Sequence, residues 1–136
     1  MSAALRRLEL SLLPERFAVA QLAPGAPAVT PPPGMTLFSV TRTADELSVV
    51  CAEPDLPLSA RAQTGWRAFQ VHGPFALSEV GVLSAIASPL ADARISLFVI
   101  STFNTDYILV HAEQLQSAVA ALERAGHKIQ QPKASS

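Results

Sequence analysis

The chain is short of cysteine, short of charge and without any long apolar run, and each shortage removes a class of protein. Its single cysteine, Cys51, has no second thiol to pair with, so no disulfide framework exists and a reduced, cytoplasmic setting is expected. Charged residues make up only 15 % of the 136 residues, and Lys plus Arg (10) nearly balance Asp plus Glu (11). No basic stripe results, which argues against nucleic acid as a partner. The opening MSAALRRLELSLLPERF is interrupted by Arg6, Arg7, Glu9 and Glu15, too short and too broken for a signal peptide or a membrane span. His72, His111 and His127 are scattered, with no HxxxH, HxH or CxxC spacing that would hold a structural metal. Neither a GxSxG elbow nor a glycine-rich phosphate loop is present. The expectation is a protein that is not an enzyme and carries no cofactor. With 49 % hydrophobic residues, it has the means to bury a core.

What is present is a segment that occurs twice. LFSVTRTADELSVVCAE (Leu37 to Glu53) and LFVISTFNTDYILVHAE (Leu97 to Glu113) align without a gap at an offset of 60 residues. Leu37/Leu97, Phe38/Phe98, Ala52/Ala112 and Glu53/Glu113 are identical at that offset, and Cys51 falls opposite His111. Each copy reads as strand, polar turn, strand, a β-hairpin. Two hairpins in a small chain suggest two pseudo-equivalent modules, and the seam between such modules is a natural place for a small ligand.

The flanking sequence fills in the rest. Leu5–Leu13 alternates as a strand does, and Arg16–Leu22 reads as a second strand. Residues 23–35 carry five prolines and two glycines, an extended loop and not a helix. Glu53–Arg61, with Pro54 and Pro57, allows only a short helix, and Trp66–Val71 is again a strand. Ser78 is positioned to cap a helix running to about Leu90, with Leu83, Ile86, Ala87 and Leu90 as its buried stripe and Pro89 disturbing its last turn. Glu113–Ala125 is a helix with Leu115, Ala118, Val119 and Leu122 on its apolar face, stopped by Gly126, after which Lys128-Ile129 starts a strand. From Trp66 onward the order is β-α-β-β-α-β, the ferredoxin-like plan of an α+β fold. The first half offers the same hairpin, with the proline loop where a first helix would be. The sequence divides into a degenerate N-terminal module (1–64), a complete C-terminal one (65–131) and a disordered tail (132–136).

Ser78-Glu79-Val80-Gly81 together with Ile100-Ser101-Thr102-Phe103-Asn104-Thr105-Asp106 resembles the ACT domains of amino-acid-responsive proteins. More closely, the chain is similar to small bacterial tandem ACT-like proteins and to the ACT modules of CASTOR-type arginine sensors, over roughly Leu10 to Ile129. The resemblance implies tandem ACT-like repeats and a small-molecule sensor or regulator, with an amino acid held between the helix-opening loop and a neighbouring unit. Carried over, Glu79, Gly81, Thr102, Phe103, Thr105 and Asp106 are the site positions. Ala76-Leu77-Ser78-Glu79 stands where the sensors carry a Gly-Phe-Asp-Glu-type sequence, a departure at the backbone approach.

The chemistry of these residues fits an amino acid. A helix N-terminus at Val80-Gly81-Val82 supplies unpaired N–H donors for a carboxylate, and glycine allows close approach. Glu79 and Asp106 are acceptors for an ammonium or a cationic side chain, and Phe103 could cover a guanidinium. With Asn104 they make up the candidate ligand site. Each also has an ordinary structural explanation: Glu79 as a helix-dipole partner, Asp106 as a turn cap, Phe103 as packing, Gly81 as a close helix–sheet contact. In the first copy Arg42, Asp45 and Glu46 replace Thr102, Thr105 and Asp106; Arg42 could meet a ligand carboxylate or pair with Glu46 or Asp45. The competing reading is a structural interaction module that binds nothing small and dimerises through its sheet edge or helices. A homodimer is compatible with both.

Overall fold

The computed structural model describes residues 6–76 and 78–132. In chain order its elements are β1 (Glu9–Leu12), β2 (Phe17–Leu22), β3 (Ser39–Arg42), β4 (Leu47–Ala52), a 3-10 turn (Glu53–Asp55) and β5 (Arg61–Val71). Then follow α1 (Val82–Asp92), β6 (Phe98–Ser101), β7 (Asp106–His111), a second 3-10 turn (Ala112–Gln114), α2 (Leu115–Arg124) and β8 (Lys128–Gln130). The fold is α+β. Two compact units divide it, one spanning Glu15–Trp66 and the other combining the residues up to Pro14 with those from Arg67 onward. The division expected at 64/65 differs from this in the N-terminal strand, which belongs with the later unit. Residues 1–5 and 133–136, which include most of the expected tail, and Leu77 lie outside the described residues.

In the later unit the sheet runs β6-β7-β5-β1-β8. β1 is inserted between β5 and β8, antiparallel to the first through Leu10↔Val71 and parallel to the second through Leu10↔Ile129. The strand that could have served the first module therefore completes the second. Burial explains the choice. Leu10 and Leu12 point into the same core as Phe69, Val71, Ile108 and Val110, and both helices close that core through Ala85, Ile86, Leu90, Ala118 and Leu122. A fully buried Leu, Ile or Phe side chain contributes about 1.5–3 kcal/mol, so β1 brings two such anchors to one face.

Helix α1 begins three residues later than Ser78 predicts. Gly81 is its N-cap, with φ +87, and Ser78 makes no capping bond to it. The buried stripe shifts accordingly to Val82, Ala85, Ile86 and Leu90, while Leu83 faces out. Pro89 lies inside the helix without ending it. Proline has no N–H for the Ala85 carbonyl, and the ring of His127 fills the vacancy: its Nε2 lies 2.7 Å from Ala85 O, and its Nδ1 accepts the Leu8 N–H at 3.1 Å. His127 is 4 % exposed, so one neutral tautomer satisfies two otherwise orphaned backbone groups.

Both helices end in the same motif. Gly126 N–H donates to Glu123 O and His127 N–H to Leu122 O at the end of α2; Arg94 N–H and Ile95 N–H donate to Ala91 O and Leu90 O at the end of α1. These are Schellman pairs, which need a left-handed residue after the cap. Gly126 takes φ +98 freely, but Arg94 takes φ +60 with a Cβ to accommodate. Arg94→Gly should therefore raise stability by about 1 kcal/mol, seen as a midpoint a few degrees higher in thermal unfolding. An unchanged or lower midpoint would contradict the strain assigned to Arg94.

The earlier unit is built on β3-β4-β2 and the first half of β5. Ala20, Leu47, Val49 and Cys51 form a small core, and Ala26 and Val29 of the proline loop pack on it. Arg42 holds that loop by donating to the carbonyls of Pro24 and, at 2.8 Å, Ala26. Among the described residues it forms no ion pair with Glu46 or Asp45. A loop rich in proline has carbonyls to spare, and a guanidinium is well suited to collect them. Burial also raises the Cys51 thiol pKa, with Asp55 adding to the shift, and leaves it a packed, neutral group.

The two hairpins correspond, but not at the offset their letters suggest. Ser39 and Val50 pair as Phe98 and Leu109 do, 59 residues on, and Arg42↔Leu47 matches Ser101↔Asp106 at the same 59. The turns agree: Thr43 N–H donates to Glu46 O as Thr102 N–H does to Thr105 O, each closed by the threonine hydroxyl. The alignment at 60 is one residue out, and in a strand one residue exchanges the two faces. The true counterparts of Thr102, Thr105 and Asp106 are Thr43, Glu46 and Leu47, and Cys51 corresponds to Val110.

Candidate functional site

A groove opens on the later unit between the loop that precedes α1 and the β6–β7 hairpin. Phe75, Ala76, Glu79 and Val82 line one side; Ser101, Phe103, Asn104, Thr105 and Asp106 line the other. Its volume is about 190 Å³. That exceeds the ~10–15 Å³ one water needs and falls below the ~300–1,000 Å³ of drug-sized pockets, a scale suited to a small metabolite.

Backbone contacts fix the two walls to each other. Phe75 N–H donates to Asn104 O at 2.8 Å, and the Thr105 hydroxyl donates to Val71 O at 2.6 Å. Gly73 permits this approach, because a Cβ there would stand 2.8 Å from Asn104 O and 3.1 Å from Phe75 N. Within the hairpin, the Ser101 hydroxyl donates to Asp106 Oδ1 at 2.6 Å. Among the described residues the second Asp106 oxygen and the Asn104 amide have no protein hydrogen bond.

Glu79 is not in the helix. Its N–H donates to Ala76 O, its Oε1 accepts the Ala76 N–H at 3.0 Å, and its Oε2 accepts from Arg6 Nη1 at 2.7 Å. The Arg6 bond first, and the Ala76 N–H second, hold the Glu79 carboxyl below its usual pKa, so it stays ionised at neutral pH. Arg6 also lies 5.4 Å from the Phe75 ring centroid.

Of the residues singled out in the sequence, Glu79, Phe103, Asn104, Thr105 and Asp106 meet at the groove. Val80 projects to solvent at 86 % exposure, Gly81 serves as the left-handed N-cap, and Thr102 spends its hydroxyl on the hairpin turn. Phe103 is 80 % exposed and reaches over the rim. Sequence reasoning placed Val82 in the donor turn but missed Phe75, Ala76, Ser101 and the neighbouring Arg6 as site residues. Ser101 was legible as the residue opposite Asp106 across the hairpin. Arg6, distant in sequence, carried no local signal.

A second polar cluster also escaped the sequence. Ser11 Oγ lies 2.5 Å from His72 Nε2, and His72 Nδ1 lies 3.5 Å from Glu9 Oε2. The order serine, histidine, carboxylate is that of a hydrolase. However, Ser11 sits mid-strand between its register partners Gln70 and Gln130, where the surrounding N–H groups are committed to ladders and cannot stabilise an oxyanion. The cluster ties β1 to the end of β5, and Gln130 of β8 joins it through Ser11 and Glu9.

A family model described as ACT domain matches residues 61–124, and another, described as an N-terminal domain, matches 15–59. The crystal structure of protein Atu0741 from Agobacterium tumefaciens superposes with a TM-score of 0.85 at 34 % identity, covering 96 % of this chain and 98 % of that one. The chain belongs to the ACT-domain family. Its relatives include the human protein named cytosolic arginine sensor for mTORC1 subunit 1, 35 % identical over 101 residues. That match takes in 68 % of this chain and 31 % of the human protein, so the chain spans about a third of the curated relative. The regulatory subunit of aspartate kinase from Thermus thermophilus shares the ACT fold with a TM-score of 0.57 at 11 % identity, over 85 % of this chain and 95 % of that one. No helix among the described residues is long and apolar enough to cross a membrane.

Proposed function

We propose that this ACT protein is a non-catalytic regulatory module that binds a small molecule, an amino acid, in the groove between the Glu79 loop and the Ser101–Asp106 hairpin. The observation that carries this is the convergence of complementary groups in a space of that size. Asp106, with one oxygen uncommitted, and the Asn104 amide oxygen suit an ammonium. The Asn104 amide N–H groups and the open first turn of α1 at Val82 suit a carboxylate. Phe75 and Phe103 supply apolar cover for a side chain.

The earlier unit reads best as a degenerate ACT-like copy. Its hairpin and following 3-10 turn repeat those of the later unit 59 residues on, and the packed proline loop stands in for a first helix. The ranges matched by the two family models fall on either side of residue 60, in keeping with tandem modules divided near 64 apart from β1. A cytoplasmic setting and a downstream protein partner follow by analogy with the relative named a cytosolic sensor. The second reading, a protein-interaction module able to dimerise, draws on the exposed apolar side chains of Val80 and Phe103.

Thermal unfolding against a panel of the standard amino acids separates the two. A ligand at 100 times its dissociation constant adds about 2.7 kcal/mol of stability. A selective rise in midpoint that disappears in Asp106→Ala supports the sensor. Flat curves for every amino acid remove amino-acid binding and leave the interaction reading.

A further inference from the structure

Arg6 meets the groove in a way that neither the sequence motifs nor the ACT relationship assigns. Its guanidinium takes Glu79 Oε2 at 2.7 Å and lies over the Phe75 ring, a carboxylate and an aromatic face that both belong to the groove lining. A carboxylate beside an aromatic face is what a cationic side chain looks for. Here the chain supplies that cation itself. We propose that Arg6 is a built-in occupant of a cation subsite formed by Glu79 and Phe75, which closes this end of the groove to arginine-like side chains and leaves the remainder for amino acids with uncharged side chains. This rests on the amino-acid reading above and names its ligand class.

An exposed ion pair alone would be a weak latch, since the two side chains are 42 % and 35 % exposed. Tethering makes the difference. Two residues after Arg6, Leu8 is held at both backbone groups, its N–H by His127 and its C=O by the Lys128 N–H at 2.9 Å. An anchor so near keeps the guanidinium at an effective concentration that free arginine, at millimolar levels or below, must outcompete. The other Glu79 oxygen already accepts the Ala76 N–H, so a competing cation meets a carboxylate engaged at both oxygens.

The test uses ethylguanidinium as a probe, with ethylammonium as the control for charge and salt, on the wild type, Arg6→Ala and Arg6→Ala/Glu79→Ala. Thermal midpoints and calorimetry are the readouts. Arg6→Ala should bind ethylguanidinium saturably, about tenfold or more tightly than the wild type, the factor expected when a latch closed about ten to one is removed. The double variant should lose that binding, and L-arginine should gain affinity in Arg6→Ala alongside the probe. Equal responses of the wild type and Arg6→Ala, or binding that survives Glu79→Ala, would overturn the proposal. Because the probe has neither an α-amino nor a carboxyl group, its binding is independent of amino-acid recognition. A wild type indifferent to every amino acid would count against the sensor without touching the cation subsite.

Discussion

Replacing His127 with alanine should cost about 2–5 kcal/mol, because it strands two buried backbone groups, each worth about 1–3 kcal/mol when left unsatisfied. Against a total stability of about 5–15 kcal/mol that is a large share, and the thermal midpoint should fall by roughly 10 °C or more. The groups are the Ala85 carbonyl, freed inside α1 by Pro89, and the Leu8 N–H at the entry to β1. A double-mutant cycle isolates the first. In a Pro89→Ala background residue 89 regains its N–H and bonds Ala85 O within the helix. His127→Ala should then cost about 1–3 kcal/mol less than it does beside proline. Equal costs in both backgrounds, measured by denaturant unfolding, would mean that the histidine does not act on that carbonyl.

His127 also illustrates what a sequence cannot announce. Pro89 was visible as a helix disturbance, and proline normally ends a helix because one carbonyl loses its donor. That a histidine 38 positions later supplies the donor depends on how α1 packs beside the start of β8, a long-range fact. The same holds for β1. Its alternation was legible, but its insertion between β5 and β8 followed from which core its Leu10 and Leu12 could fill. Local features with strong chemistry did come through. The β-α-β-β-α-β order, the glycine stop after α2 and the non-helical proline loop are each set by residues within a few positions of one another.

Where local chemistry offered two answers, the sequence favoured the wrong one. Ser78 is a good capping residue, yet Gly81 can take the left-handed conformation at the turn into α1, and the helix starts there. Identical letters at an offset of 60 outweighed the turn, although the Thr43 and Thr102 turns fix the hairpin registers at 59. Of the site, the hairpin half was readable because a Thr-Phe-Asn-Thr-Asp tip combines turn formers with uncommitted polar groups. The opposite wall was only half readable. Glu79 was found, but Arg6 and Phe75 reach it through the tertiary fold.

Gly73→Ala should damage the groove more than any change to its polar residues. The added Cβ would lie 2.8 Å from Asn104 O and 3.1 Å from Phe75 N, both backbone atoms that cannot rotate away. The loop must lift from the hairpin tip, breaking the Phe75 N–H to Asn104 O bond that joins the two walls. Overpacking of this kind costs about 1–3 kcal/mol, and ligand-dependent stabilisation should vanish with the wall. Gly25→Ala is the matched control: nothing stands within 4 Å of a Cβ there, so its effect should stay within about 0.5 kcal/mol. Hydrogen exchange at the Phe75 amide distinguishes local lifting from global loss, since only that amide and its neighbours should lose protection if the core of Phe69, Ile86 and Leu122 is intact. An unaltered Phe75 amide in a variant with normal stability would show that the walls tolerate separation, and that the groove owes its shape to Glu79 and the α1 cap instead.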